Sequence, residues 1–377
     1  MVLIRRILVV STEDSTKLSS WSNVPYLFCK TLQEQGIEVQ RLTVPTWGVV
    51  GTFLQWSIRA LRFMKIWQKS TWDYSRSYMY YHKVQSIIDK ELELNMVDAV
   101  LILSFSYSPS LPCKLPLILF GDWSLSYSIE CQQSRKANHL ERCSIRREHK
   151  LLSSASEVFV LFPVAEHYIK SLLPKARTHY IGNVINTVET PDKADIRIKK
   201  KGLSLLFIGK SHYLEGAQHL IDTYRQLKET IPGLALNIVG MGKEFFSELP
   251  DGVFCHGYLD KGNPIDRALY YELLRGASIF INTNTRWVSF SATLEAMYFY
   301  TPIVTTANAE LEETFGKQIS FGVYFRAEDS LSLESVIRDL LLSDNYIQLA
   351  MNAHHAASPY SWKRYVSRFL NIVNSNQ

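Results

Sequence analysis

The sequence has 377 residues, of which 46% are hydrophobic and 20% charged, and its net charge is +5. This composition excludes a disordered chain, and the small positive excess suits phosphate-bearing ligands or an anionic membrane face without arguing for nucleic acid. The length exceeds one ordinary core and predicts two domains of roughly 150 to 190 residues each.

The cysteines and the apolar stretches indicate the cellular compartment in which the protein is expected. The five cysteines are odd in number and scattered, without a C-x-x-C pair, which argues against a disulfide framework and a zinc site. Met1–Val10 is too short an apolar run for a secretory signal, and no stretch of about 18 apolar residues predicts a membrane span. We therefore expect a cytoplasmic protein.

Residues 1–190 show alternating strand and helix patterns, typical of a parallel sheet, with a helix at Pro25–Gln35. Strands are predicted at Ile7–Val10, Ile37–Leu42, Ala99–Leu103, Leu117–Phe120, Glu157–Phe162 and Thr178–Ile181. Asp122 follows one of these strands directly, which suits contact with a substrate hydroxyl, although a turn-capping aspartate explains it nearly as well.

Trp47–Lys69 has the pattern of an amphipathic helix. Its apolar residues at helical spacing are Phe53, Trp56, Ala60, Phe63 and Trp67. Its polar and basic residues, on another side, are Gln55, Arg59, Arg62, Lys65 and Lys69. This pattern favours either a helix that lies on an anionic membrane or a core helix whose basic residues are solvated.

A polar, charged segment at 191–202 predicts a linker, after which a second domain is expected at 203–355. The Leu203–Ile208 strand leads into Gly209 and Lys210, where a glycine admits a ligand close to the backbone and a lysine can neutralise a diphosphate. A surface lysine is the plain alternative. The last amphipathic pattern, Trp362–Val373, predicts a tail helix.

The central stretch of this second domain is Ala277–Thr306. It predicts a strand, a polar loop, a helix at Ala292–Tyr298 and a second strand, in a parallel arrangement that suits anion binding at the helix N-terminus. Glu295 lies four residues after Ser291, on the same helix face, where a carboxylate could accept hydrogen bonds from ribose hydroxyls. A surface glutamate would fit the position equally.

Glu295-Ala-Met followed by Pro302 and an apolar strand resembles the signature of the retaining, nucleotide-sugar-dependent glycosyltransferases of group 1, which have the GT-B fold. The resemblance implies two Rossmann-like α/β domains facing a cleft, an acceptor-binding first domain, and a C-terminal tail helix at 356–377 that returns to it. It also implies that Glu295 holds the donor ribose, and that Lys210 contacts the diphosphate. The further donor-binding residues that it implies are Gly209, Tyr258, Asn284, Ser291 and Thr293.

The sequence departs from the family pattern at three places. Trp287 stands where a second glutamate is usual, Glu215 stands where a second phosphate-binding lysine is usual, and the Ser11–Ser22 loop lacks the common glycines.

The resemblance implies transfer of a sugar from a nucleoside diphosphate sugar to a hydroxyl of a glycan or lipid-linked acceptor, with retention. The leaving diphosphate would deprotonate that hydroxyl, so Lys210, Glu295 and Asp122 are the candidate catalytic residues. No metal cofactor is expected, because no Asp-x-Asp pair is present. The alternatives are a degenerate protein that binds a nucleotide sugar or a partner without catalysis, and a sugar-nucleotide epimerase.

Overall fold

A computed structural model of the chain describes residues 4–45, 48–63, 70–284, 290–326 and 332–375. The chain forms two compact units. The first runs to Gly182 and adds the chain from Tyr365 onward, and the second spans Asn183–Arg364.

The first unit is built on a parallel sheet of six strands in the order β2-β1-β3-β4-β5-β6. Its strands are β1 Arg6–Ser11, β2 Glu38–Thr43, β3 Ala99–Ile102, β4 Leu117–Gly121, β5 Glu157–Val160 and β6 Thr178–Tyr180. Its helices are α1 Val24–Glu34, α2 Gly48–Phe63, α3 Tyr78–Leu94, α4 Leu125–Tyr127, α5 His139–Ser154 and α6 Pro163–Leu172. The central strands β3, β4 and β5 are buried along their whole length, which explains their continuous apolar runs.

One face of this first sheet is covered by α1 and by the last helix of the chain, α14, which spans Trp362–Ser375. The Phe28 ring centroid lies 5.2 Å from those of Phe120 and Phe369, and Phe369 lies 4.8 Å from Phe159. The C-terminal helix is therefore part of the core of the first unit.

The second unit holds another parallel sheet of six strands, in the order β12-β11-β10-β7-β8-β9. Its strands are β7 Ser204–Ile208, β8 Ala235–Val239, β9 Val253–Cys255, β10 Ile279–Asn282, β11 Ile303–Thr306 and β12 Gly322–Phe325. Its helices are α7 Asp195–Gly202, α8 Leu214–Thr230, α9 Pro264–Gly276, α10 Phe290–Tyr298, α11 Ala309–Phe315, α12 Leu333–Leu341 and α13 Tyr346–Ala357, together with the first residues of α14. All the strand pairs are parallel, so the carboxyl ends of the strands and the loops that follow them lie at one edge of the sheet.

The segment expected to be a linker, 191–202, instead contains α7, which belongs to the second unit. Lys199 on α7 is fully buried, whereas its neighbour Lys200 is exposed. The Lys199 ammonium lies 2.9 Å from the Thr301 hydroxyl and 3.2 Å from the Ala277 carbonyl, and it also donates to the Leu274 carbonyl. This contact set fastens α7 to the end of α9, where backbone carbonyls lack helical partners.

The predicted amphipathic helix at Trp47–Lys69 forms α2, while Trp47 and residues 64–69 lie outside the described ranges. Among the α2 residues whose burial is described, Gly51, Gln55 and Ile58 are buried. The Gln55 side chain accepts a 3.0 Å hydrogen bond from the Tyr74 amide. Phe53 and Trp56 are 71% and 66% exposed, so these two residues do not pack into the core. Among the helices of the described ranges, none has the length and apolar character needed to span a membrane.

We expect the Lys199→Met variant to be less stable than the wild type by about 1–3 kcal/mol at pH 9, because buried acceptors lose their donor. Burial lowers the pKa of Lys199 from 10.5 to about 7. Between these two values only the unfolded chain holds the proton, so the wild-type free energy of unfolding rises with pH. The difference between variant and wild type should therefore widen from pH 7 to pH 9, by at most about 1.4 kcal/mol per pH unit.

Urea unfolding at both pH values measures this difference, and Lys200→Met, which removes an exposed lysine one position away, is the matched control. A constant difference between wild type and Lys199→Met across the two pH values would contradict the expectation.

Candidate functional site

Loops from three neighbouring strands meet at the carboxyl edge of the second sheet. Strand β7 lies between β10 and β8, and the three strands end at Asn282, Ile208 and Val239. The Gly209 amide donates a 2.9 Å hydrogen bond to the Val239 carbonyl, and the Thr283 hydroxyl donates a 2.7 Å bond to the Gly216 carbonyl. These bonds hold the loops after the strands against one another.

Glycines occupy this edge of the sheet where the backbones of neighbouring loops come into close contact. Gly240 has a φ of +100°, and a Cβ placed on it would lie 2.5 Å from the Gly209 carbonyl oxygen and 3.3 Å from the Lys210 amide nitrogen. No side chain fits there without displacing the Gly209-Lys210 turn. The position of the predicted pair Gly209 and Lys210 is thus fixed by the backbone at the end of the neighbouring strand β8.

Lys210 supplies an exposed positive charge at this edge. Its ammonium lies 4.8 Å from the centroid of the Tyr258 ring, and Tyr258 is itself 58% exposed. Burial, and then the charge of Lys210, lower the pKa of the neighbouring His212. The predicted residues Lys210 and Tyr258 are therefore brought together in the structure.

Asn284 and Glu215 lie next to the same edge. A Cβ on Gly216 would lie 3.0 Å from the Asn284 amide nitrogen, so Gly216 allows the start of α8 to pack on the loop after β10. Glu215, in the first turn of α8, is exposed. Trp287, within residues 285–289, lies outside the described residues.

Glu295 on α10 is held by an ion pair. Its side chain is 3% exposed, and the Lys261 ammonium lies 2.9 Å from its Oε1 and 2.8 Å from its Oε2. The Tyr270 hydroxyl donates to Oε2 at 2.6 Å. Burial, followed by the charge of Glu295, raises the pKa of Tyr270 well above its ordinary value, so this hydroxyl stays a donor. Sequence reasoning identified the carboxylate but missed both partners.

Asn186 connects this pair to the N-terminal turn of α10. Its amide nitrogen donates a 3.0 Å bond to the Ser291 hydroxyl, and its backbone carbonyl lies 3.3 Å from the Lys261 ammonium. Its side-chain oxygen accepts a 3.1 Å bond from the Trp362 indole. Thr293, the other predicted residue of this helix start, is fully buried.

Asp122 belongs to the first unit, where it follows β4. The Trp21 indole donates a 3.1 Å hydrogen bond to its carboxylate. Burial raises the pKa of Asp122 to about 6, and the Trp21 bond opposes that shift. Asp122 is therefore expected to keep its proton to a higher pH than an ordinary aspartate.

Trp21 is held in a strained turn, because Trp21, Ser22 and Asn23 have φ values of 35°, 53° and 70° in the left-handed region. The Glu13 carboxylate accepts a 2.7 Å bond from the Trp21 amide, and the Trp21 ring packs 5.7 Å from Phe120. Left-handed non-glycine residues cost of order 1–3 kcal/mol each and persist where surrounding contacts enforce them. This turn lies in the loop after β1, at the end of the glycine-free Ser11–Ser22 stretch.

Residues 202–343 match the family model described as glycosyl transferases group 1. No curated protein sequence matches the chain.

Several solved structures share the whole fold. Sucrose-phosphate synthase from Thermosynechococcus elongatus is 14% identical, with 98% of each chain covered and a TM-score of 0.62. HepE from Anabaena, in complex with UDP and glucose, is 14% identical, with 98% of this chain and 99% of that chain covered and a TM-score of 0.61. WaaG, a glycosyltransferase involved in lipopolysaccharide biosynthesis, is 14% identical, with coverages of 97% and 99% and a TM-score of 0.65. The predicted GT-B fold of two Rossmann-like domains is confirmed.

We expect the Trp21→Phe variant to raise the pKa of Asp122 further above about 6, because the carboxylate loses a hydrogen bond that favours its charged form. NMR titration of carboxyl-labelled aspartate measures this pKa, and the Asp122→Asn variant assigns the signal. An unchanged pKa in Trp21→Phe would show that the indole bond does not stabilise the ionised carboxylate.

Proposed function

We propose that this protein, whose residues 202–343 match the glycosyl transferases group 1 family, moves a sugar from a nucleoside diphosphate sugar to a hydroxyl of a glycan or lipid-linked acceptor. The observation that carries the proposal is the edge where the loops after β7, β8 and β10 meet. There the close approach of Gly240 to the Gly209 carbonyl fixes the turn that presents Lys210, and Lys210 stands beside the exposed Tyr258 ring.

On the donor side, Lys210 would neutralise charge on the diphosphate, and the backbone of Gly209 would allow the phosphates to approach. Tyr258 would lie near the base, while Asn284, Ser291 and Thr293 would line the phosphate end with the N-terminal amides of α10. UDP is the first nucleotide to test, because the similar structure of HepE contains UDP.

The proposed reaction retains the configuration of the sugar. The bond between the anomeric carbon and the β-phosphate oxygen breaks, and a bond from the acceptor oxygen to the same face of that carbon forms. The acceptor proton passes to the leaving diphosphate, so no side-chain nucleophile is required. The protein's own part is to stabilise charge on the leaving group through Lys210 and to orient both substrates.

On the acceptor side, Asp122 would accept a hydrogen bond from an acceptor hydroxyl and orient it. Its raised pKa would make this contact stronger above about pH 6, where the carboxylate is ionised. We expect no metal requirement, because the sequence lacks an Asp-x-Asp pair. We also expect the protein to work in the cytoplasm, at the inner face of a membrane that carries the acceptor.

We expect the Lys210→Ala variant to transfer sugar at least tenfold more slowly than Lys210→Arg, because the role proposed for Lys210 depends on its positive charge at the leaving diphosphate. A screen of nucleotide sugars by thermal shift identifies the donor first, since a ligand of the native state raises the melting temperature. Release of nucleoside diphosphate from that donor, in the presence of glycan and glycolipid acceptors, then measures the rate.

The Lys200→Met variant, which changes an exposed lysine on α7, is the control for loss of charge. Equal rates for Lys210→Ala and Lys210→Arg would place Lys210 outside the reaction. Donor binding by the wild type without turnover on any acceptor would favour the non-catalytic binding protein instead.

For the membrane contact, we propose that the outer face of α2 docks on an anionic bilayer. Val49, Phe53 and Trp56 lie at helical spacing and are 88%, 71% and 66% exposed. Arg59 is exposed on the next turn, so the apolar stripe ends beside a positive charge, which matches an anionic lipid surface. The buried side of α2 is separate, so the outer stripe is available without unfolding the helix.

We expect the double variant Phe53→Glu with Trp56→Glu to lose co-sedimentation with vesicles of phosphatidylcholine and phosphatidylglycerol while keeping the wild-type melting temperature. Both side chains are mostly exposed, so their loss costs little folding energy but removes apolar insertion and adds negative charge. The Ile265→Glu variant, at a 79% exposed position on α9, is the matched control for adding charge to an apolar surface residue. Failure of the wild type to bind vesicles at low salt would end the membrane proposal.

A further inference from the structure

We propose that Lys261 is a positioning residue for the nucleoside end of the donor. It holds the Glu295 carboxylate, together with Tyr270, so that one acceptor position on Oε1 is left for a single ribose hydroxyl. This inference rests on the function proposed above and specifies how the same site recognises the ribose.

The Glu295 carboxylate has few acceptor positions, and its partners occupy most of them. An ionised carboxylate offers about four lone-pair positions, two on each oxygen. Lys261 contacts both oxygens, at 2.9 Å and 2.8 Å, and the Tyr270 hydroxyl takes a second position on Oε2 at 2.6 Å. Among the described residues, these contacts leave Oε1 with one position for a further donor.

Lys261 is itself fixed, which suits a residue that orients another. Its ammonium also lies 3.3 Å from the Asn186 carbonyl oxygen and 4.2 Å from the centroid of the Tyr270 ring, and its side chain is 13% exposed. Its backbone carbonyl accepts a 3.1 Å bond from the Arg267 guanidinium. The loop that carries Lys261 is therefore tied to α9, and the ammonium is held from several directions.

Charge balance gives Lys261 a second reason to stay beside Glu295. A buried carboxylate without a partner is costly, and it would also repel a diphosphate that binds at the same edge of the sheet. The Lys261 charge offsets the Glu295 charge, while Glu215 stands where the resembled family has a cation. Glu295 can then accept a hydrogen bond from the ribose without adding net negative charge beside the phosphates.

The test compares the affinities of three nucleotides by calorimetry: UDP, 2′-deoxy-UDP and 3′-deoxy-UDP. We expect the wild type to bind UDP at least about tenfold more tightly than it binds one of the two deoxynucleotides. That analogue lacks the hydroxyl that donates a hydrogen bond to Glu295. In Lys261→Met, UDP affinity should fall about tenfold while the affinity for that same analogue changes little. Lys261→Arg, which keeps the charge, should retain part of the discrimination, and Lys200→Met should retain all of it.

The Glu295→Gln variant and the double variant Lys261→Met with Glu295→Gln complete the cycle. If Lys261 acts through Glu295, the double variant binds UDP as Glu295→Gln does, so the two changes are not additive. The double variant also removes both charges of the buried pair, which keeps the test open if Lys261→Met alone does not fold.

Three results would overturn the inference. Tighter UDP binding by Lys261→Met would show that the lysine competes with the ribose, and an equal loss for all three nucleotides would show a structural role only. A wild type that binds UDP and both deoxynucleotides equally would remove the ribose contact of Glu295 but leave nucleotide binding standing. A wild type that binds no nucleoside diphosphate at all would instead count against the proposed function.

Discussion

The candidate donor site depends on the parallel pairing of β7 with β8 and β10. Parallel strands end at the same edge, so the loops after Ile208, Val239 and Asn282 are brought together by the sheet itself. The close approach of Gly240 to the Gly209 carbonyl fixes the turn that presents Lys210. That turn places Lys210 beside the Tyr258 ring.

The buried pair of Glu295 and Lys261 shows how the same site tolerates a carboxylate. Taking two charges out of water is favourable only when their geometry is good and further hydrogen bonds are present. Lys261 contacts both carboxylate oxygens, and Tyr270 and the Asn186 carbonyl provide the remaining partners. The network therefore connects α9, α10 and Asn186 next to the start of α10.

Local sequence patterns predicted the six strands of the first unit, the strand before Gly209, the central strand-loop-helix-strand unit and the C-terminal helix, because periodicity and turn residues act over a few positions. The partners of single side chains were not predictable in this way. Lys261 is 34 residues from Glu295, and Asn186 is 105 residues from Ser291, so only the tertiary structure brings them together.

Lys199 is a second residue whose environment could not be predicted from local sequence patterns. Its run of three lysines is typical of a solvated linker, yet carbonyls at Leu274 and Ala277 and the Thr301 hydroxyl bury it. In the first unit, the strained turn at Trp21–Asn23 also follows from distant contacts, since Glu13, Phe120 and Asp122 all hold Trp21. These contacts hold the Trp21 indole N–H on the Asp122 carboxyl group, whose pKa burial raises to about 6. A glycine in this loop would have more conformational freedom, so the absence of glycines from Ser11–Ser22 agrees with a turn whose position is fixed by its contacts.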